Sequence, residues 1–92
     1  MDKFKDKKTQ RLFETGKHRS LDNRLGQRAR QALIVVATAP SLDVIGSAPG
    51  RDLKPFKEGG KGCYRIKVNR QYRIVFYWVD GEAIGIEFID YH

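Results

Sequence analysis

The sequence predicts an α+β domain in which two N-terminal helices pack on one face of a small, mainly antiparallel twisted sheet. Three observations predict it. Between residues 20 and 39 apolar side chains recur at three- and four-residue spacings, the period of a helix with one buried stripe. From Cys63 onward apolar and polar residues alternate, the period of strands with one buried face. The helical pattern precedes the β pattern without interleaving, which is the order of an α+β chain.

Each element can be justified in turn. Asp2 to Gly16 makes a first unit: Lys3-Phe4 is a brief strand, Asp6 caps a short helix, Leu12 and Phe13 are its buried pair, and Gly16 stops it. Gly16 to Arg19 is a basic connector. Ser20 is the expected cap of a longer helix reaching about Ala39, with Leu21, Leu25, Ala29, Ala32, Leu33, Val36 and Ala37 as its apolar stripe. Arg24, Arg28 and Arg30 lie on or near its other side. Pro40 ends it, because proline lacks the N–H a helix needs. Ser41 caps one further turn over residues 42–45, and Gly46 to Gly50 is a loop.

Leu53 to Lys57 is a short strand that Pro55 confines to a sheet edge. Glu58 to Gly62 is a glycine-rich turn. In Cys63–Val68, Tyr64, Ile66 and Val68 point one way and Arg65 and Lys67 the other. Asn69-Arg70-Gln71 turns the chain. Tyr72, Ile74, Phe76 and Trp78 share one face of the next strand; Arg73, Val75, Tyr77 and Val79 share the opposite one. Asp80-Gly81 is a two-residue hairpin signal. The last strand is expected to place Ile84, Ile86 and Phe88 together. The helices then cover the apolar face, and the second face is basic and concave, carrying Arg65, Lys67 and Arg73.

The 92 residues are enough for one domain, spanning 1–92, with a small core. With 18 Lys and Arg against 11 Asp and Glu the net charge is +7. That balance favours a polyanion as ligand, most simply nucleic acid, or an acidic protein that masks the basic face. The single cysteine, Cys63, excludes an intramolecular disulfide and a multi-cysteine zinc site, and fits a reducing cytoplasm. The charged N-terminus lacks an apolar signal core, and no apolar run approaches the ~20 residues that span a bilayer. Gly59-Gly60-Lys61-Gly62 lacks the spacing of a phosphate-binding loop and reads as a turn.

Leu53-Lys54-Pro55-Phe56-Lys57, Gly62 to Val68, and Gln71 to Phe76 together resemble the RelE/ParE toxin superfamily. The closing Asp90-Tyr91-His92 narrows the likeness to HigB-type toxins. Leu12 to Gly16 and the Ala37-to-Gly50 connection also look like that subgroup, so the resemblance covers nearly the whole chain. The strand pattern is shared with non-nuclease relatives; the terminal Asp-Tyr-His is the sharper sign. The resemblance implies a RelE-like fold and the toxin of a type II toxin–antitoxin module. It implies a ribosome-dependent endoribonuclease that cuts messenger RNA in the decoding site, without metal or cofactor. The implied partners are the 70S ribosome with its messenger and a HigA-type helix-turn-helix antitoxin, in a heteromeric complex. The alternative is a non-nucleolytic, ParE-like toxin that binds DNA gyrase. A non-toxic RNA-binding sheet platform is a third reading; it calls for exposed aromatics on the basic face, where only Tyr77 has the parity.

Metal-free RNA cleavage proceeds by attack of a ribose 2′-OH on the adjacent phosphate. It needs a proton acceptor, positive charge on the phosphorane, and a proton donor for the departing 5′-oxygen. His92 has an ordinary pKa near neutrality and suits the donor, or stacks on the substrate. Asp90 accepts the 2′-OH proton or orients a neighbour; otherwise it caps a turn or pairs with an arginine. Tyr91 offers a phenol and a stacking face, or closes the core. Lys57 occupies the position that carries a catalytic lysine in HigB-type relatives. Lys54 stands where some relatives carry histidine, so it supplies charge, and acts as base only if its basic neighbours depress its pKa. Otherwise both lysines simply blunt an edge strand. Arg73 is placed to grip a phosphate through two bonds, or to pair with Glu87. Arg65, Lys67 and Arg70 are candidate RNA-positioning charges. His18 reads as a surface residue, Cys63 as a packing residue and Trp78 as core.

Overall fold

The computed structural model describes residues 1–91. Three helices precede a four-stranded sheet: α1 Lys7–Thr15, α2 Asn23–Thr38, α3 Leu42–Gly46, β1 Lys54–Pro55, β2 Cys63–Lys67, β3 Tyr72–Val79 and β4 Glu82–Asp90. A 3₁₀ turn, Lys57–Gly59, separates β1 from β2. No helix is long and apolar enough to cross a membrane among the described residues.

The helix ends follow from side chains that satisfy backbone groups. Asp6 Oδ1 accepts the Thr9 N–H at 2.7 Å, as its position predicts. Gly16 closes α1 in the left-handed region, its N–H donating to the Leu12 carbonyl at 2.8 Å. The cap of α2 is Asp22 rather than Ser20: its carboxylate accepts the Leu25 N–H at 2.8 Å. The Ser20 N–H instead donates to His18 Nδ1, which bends residues 18–21 into a turn and leaves Leu21 outside the helix. Ala39 is extended, as a residue before proline must be, so α2 stops there. Ser41 caps the single turn of α3 through the Val44 N–H.

Sheet order is β1-β2-β3-β4, every neighbouring pair antiparallel. Asp80 and Gly81 both take positive φ at the β3–β4 hairpin, and Val79 pairs with Glu82. A parallel bridge joins Phe4 to Ile86, so the expected Lys3-Phe4 strand is a short arm against β4. The core fills the space between helices and sheet, with Leu12, Ala29, Ala32, Leu33, Val36 and Ile45 meeting Ile66, Ile74, Phe76 and Ile86. Burying each large side chain contributes about 1.5–3 kcal/mol. Trp78 packs against this cluster. Arg30, expected near the polar side of α2, is half-buried, and its Nε donates to the Phe13 carbonyl at 2.9 Å.

The alternation expected for β4 fails at one place. Val75 pairs with Glu87 and Tyr77 with Ile84, so Gly85 and Ile86 together face Phe76. This is a β-bulge, and it needs a residue tolerant of φ near +60°, which Gly85 supplies. The bulge reverses side-chain parity. Ala83, Ile86 and Phe88 point to the helices, whereas Ile84 lies on the second face with Tyr77. Successive N–H groups of Gly85 and Ile86 both donate outward to the arm, to the Asp2 and Lys3 carbonyls, each at 2.9 Å. Further along, Thr9 Oγ1 accepts the Phe88 N–H at 3.0 Å.

The parity break separates two isoleucines that a regular strand would place together. Ile86→Ala should cost about 2–5 kcal/mol of stability in urea unfolding, and Ile84→Ala well under half of that. Equal costs would show that β4 runs without the bulge.

Candidate functional site

The sheet face turned away from the helices carries Arg65 and Lys67 from β2 and Arg73 from β3, each on the side that strand alternation requires. β1 adds Lys54, directly opposite Arg65. The 3₁₀ turn brings Lys57 alongside. Lys54, Pro55, Lys57, Glu58, Arg65 and Tyr91 line a cavity of about 350 Å³. Residues from two strands, the turn and the end of the chain thus meet in one basin. Four of the sequence-predicted residues, Lys54, Lys57, Arg65 and Tyr91, are brought together there.

Arg73 lies beside the basin rather than in its lining. Its guanidinium carbon stands 5.3 Å from the Tyr91 ring centroid, and that of Arg65 stands 5.5 Å away. One phenol ring therefore bridges two like charges through its electron-rich face, each contact contributing about 0.5–1 kcal/mol. Phe56 meets the same ring edge-on at 6.3 Å. Arg73 Nη1 donates to the carbonyls of Asn69 and Tyr72, while its Nε is buried without a hydrogen-bond partner among the described residues. The pairing of Arg73 with Glu87 is not made. Glu87 lies opposite Val75 and holds Lys5 at 3.4 Å, while Arg73 lies opposite Ile89.

Asp90 falls one residue before Tyr91, paired with Tyr72, and its exposed carboxylate accepts from Gln71 Nε2 at 3.2 Å. It does not line the basin. Lys67 is half-buried on the same face as Arg65 but outside the lining. Its backbone is held to residue 51, since the Lys67 N–H donates to the Arg51 carbonyl at 2.6 Å. Arg70 is exposed in the β2–β3 turn, at the same end of the sheet as Asp90 and Tyr91. Lys54 pairs with Asp52 at 3.5 Å. His92 lies outside the described residues. No three His, Cys, Asp or Glu side chains gather to hold a metal ion among the described residues.

Two features escape a reading of the sequence. Glu58 enters the basin as the one carboxylate among its described lining residues, because the residues after Pro55 form a 3₁₀ turn rather than a simple hairpin loop. A second basic cavity, of about 540 Å³, lies by the α1–α2 connector, where Lys8 and Arg11 of α1 join Lys17, His18 and Arg19. The three-residue spacing of Lys8 and Arg11 on one helix face was the available signal. His18, expected at the surface, is half-buried with its ring 5.4 Å from Phe88. Burial is the main cause of its lowered pKa; Lys8 and Arg19 add to the effect and Asp6 opposes it. Burial likewise pushes the Cys63 thiol up, the Tyr77 hydroxyl opposing this in part, so Cys63 is a neutral packing group.

Residues 2–92 match the family described as the RelE-like toxin of the type II toxin–antitoxin system HigB. The chain is also 31% identical over 90 residues to Toxin HigB-1 of Vibrio cholerae serotype O1, covering 97% of this chain and 94% of that protein.

His18 gives the fold a pH dependence of definite sign. Its pKa is below the ordinary 6.5 when folded, so the folded state binds fewer protons than the unfolded chain near that pH. This contribution is fully present above about pH 6.5 and is lost as pH falls through the lowered value. Urea unfolding at pH 7.5 and 5 should show a larger loss for the parent than for His18→Gln. Parallel losses would remove His18 as the cause.

Proposed function

The chain belongs to the family of RelE-like toxins of HigB type II toxin–antitoxin systems, and from that premise we propose that it is a ribosome-dependent endoribonuclease. Family membership gives it an antitoxin partner; in this reading that partner is a HigA-type helix-turn-helix protein. The toxin acts in the cytoplasm, on messenger RNA held in the decoding site of the 70S ribosome, and so arrests translation and growth. The observation that carries the reading is the basin itself. Lys54, Lys57 and Arg65 converge on one cavity beside an aromatic ring, with Arg73 behind it.

The chemistry follows from what the basin offers. The 2′-OH attacks the neighbouring phosphorus, and a pentavalent phosphorane with extra negative charge develops. Lys57 and Arg65 reach that charge from the lining, and Arg73 supports it from under Tyr91. Fixed cations in a partly dried site stabilise such a transition state more than the ground state. Tyr91 gives the base beside the scissile bond a face to stack on. The proton from the 2′-OH passes to a carboxylate, in this reading Asp90, which stands next to Tyr91 outside the basin lining. His92 protonates the 5′-oxygen as the P–O bond breaks. Lys54 adds charge at the rim, in partial competition with Asp52. Arg70 and Lys67 guide the RNA strand along the sheet. The ribosome supplies the remaining alignment, which is why free RNA is a poor substrate.

Ribosomes programmed with a defined messenger should be cut at discrete sites by the purified protein, while naked RNA is cut slowly or not at all. Lys57→Ala should lower the ribosomal cleavage rate by roughly 10²-fold or more. Inhibition of gyrase supercoiling without any RNA cleavage would overturn this reading in favour of a gyrase-directed toxin.

A further inference from the structure

The segment that delivers Lys57 cannot hold its own shape. It is a single 3₁₀ turn of three residues, Lys57–Gly59, with no side-chain cap at its start. Two bonds close it internally: Gly59 N–H to the Phe56 carbonyl and Gly60 N–H to the Lys57 carbonyl, each at 3.1 Å. An isolated turn of this length is not stable in water. Lys57 itself is exposed, so no packing of its own side chain fixes where it sits.

Cys63 of β2 brackets the turn through its backbone, accepting the Phe56 N–H at 2.9 Å and donating to the Gly60 carbonyl at 3.3 Å; two side-chain contacts, both from one cross-strand pair, then fix its middle. Cys63 of β2 lies directly opposite Tyr77 of β3 on the basic face. The Tyr77 hydroxyl donates to the Gly59 carbonyl at 2.7 Å, in a part-buried position. Gly59 packs so closely on Cys63 that a Cβ there would collide with Sγ, and would come within 2.9 Å of the cysteine Cβ. Cys63 is only 2% exposed and cannot move aside. The phenol therefore pulls the turn toward the sheet, and the small thiol sets how near it comes. Tyr77 has the parity of an RNA-stacking aromatic, but its hydroxyl is committed to backbone.

We propose that Tyr77 is a positioning residue that, through the Gly59 carbonyl, holds Lys57 at the distance from Arg65 and Tyr91 at which all three reach one phosphate. This deepens the reading given above and rests on Lys57 working on that phosphate. A displacement of about 1 Å in a reacting group costs up to about a hundredfold in rate, so the loss of one hydroxyl should be felt in turnover more than in binding.

Tyr77→Phe removes the hydroxyl and keeps the ring. In amide hydrogen exchange the variant should lose protection several-fold at Gly59 and Gly60, while core amides such as that of Ile74 keep theirs. On messenger-programmed ribosomes its kcat should fall by roughly ten- to a hundredfold, with KM within twofold of the parent. A double-mutant cycle supplies the decisive comparison. If Tyr77 works through Lys57, Tyr77→Phe has no further effect in a Lys57→Ala background. Losses that multiply would make Tyr77 a general structural group and overturn the proposal. Unchanged exchange at Gly59 and Gly60, or unchanged kcat despite faster exchange, would overturn it as well while leaving the site intact. A Lys57→Ala variant as active as the parent would instead overturn the reading of the site itself.

Discussion

Gathering like charges on one face of a small sheet is the constraint under which this molecule is built. The net charge is +7, and Lys54, Lys57, Arg65 and Arg73 stand around one basin and its aromatic edge. Local offsets are modest. The exposed pair of Lys54 with Asp52 contributes about 0–1 kcal/mol, and the two cation–π contacts about as much each. The repulsion must therefore be carried by burial on the other face. There Ile66, Ile74, Phe76 and Ile86 bind the sheet to α1 and α2. Core and basin are two sides of the same strands, and each strand alternates between them.

That division explains how the polar groups are used. Arg73 is tied to the carbonyls of Asn69 and Tyr72, which holds the guanidinium carbon 5.3 Å from the Tyr91 ring centroid. Tyr91 in turn is held by backbone pairing, its N–H donating to the Gln71 carbonyl at 2.7 Å. Tyr77 spends its hydroxyl on Gly59. Among the described residues none of these three side chains is held by a long-range ion pair, which salt would weaken. Hydrogen bonds to carbonyls and ring contacts are little screened, so the basin keeps its shape in the presence of the polyanion it is proposed to meet.

Much of this was legible in the residues. Asp6, Gly16, Ser41, Pro55 and Asp80-Gly81 act through local chemistry, and local chemistry is what a sequence displays. The stripe of α2 and the parity of β2 and β3 follow from simple periods. Ser20 is a competent cap by residue type, yet Asp22 takes the Leu25 N–H while the Ser20 N–H turns back to His18, a choice between neighbours that residue type alone does not display. The parity of β4 was hidden because a bulge at Gly85 leaves no mark beyond the glycine itself. Gly26 looks like a weakness in a helix, yet it lets α2 press against the Gly16 carbonyl, a reason that lies in another element. Within the basin, Lys54, Lys57, Arg65 and Tyr91 were named from pattern and resemblance. Glu58, Phe56 and the clamp by Tyr77 depend on a 3₁₀ turn whose geometry is set from outside.

The arm formed by residues 2–5 has a consequence in time. It precedes β4 in synthesis, yet its hydrogen bonds are to Gly85 and Ile86, more than eighty positions later. Contacts between such distant positions form late, since a long loop must close before they are rewarded. Until β4 is synthesised the arm has nothing to pair with, Thr9 has no amide to accept, and Tyr91 cannot yet lie over the two arginines. A chain lacking β4 thus lacks both the partner of its arm and the ring over its two arginines, so the basic basin is complete only once residues 82–91 are in place.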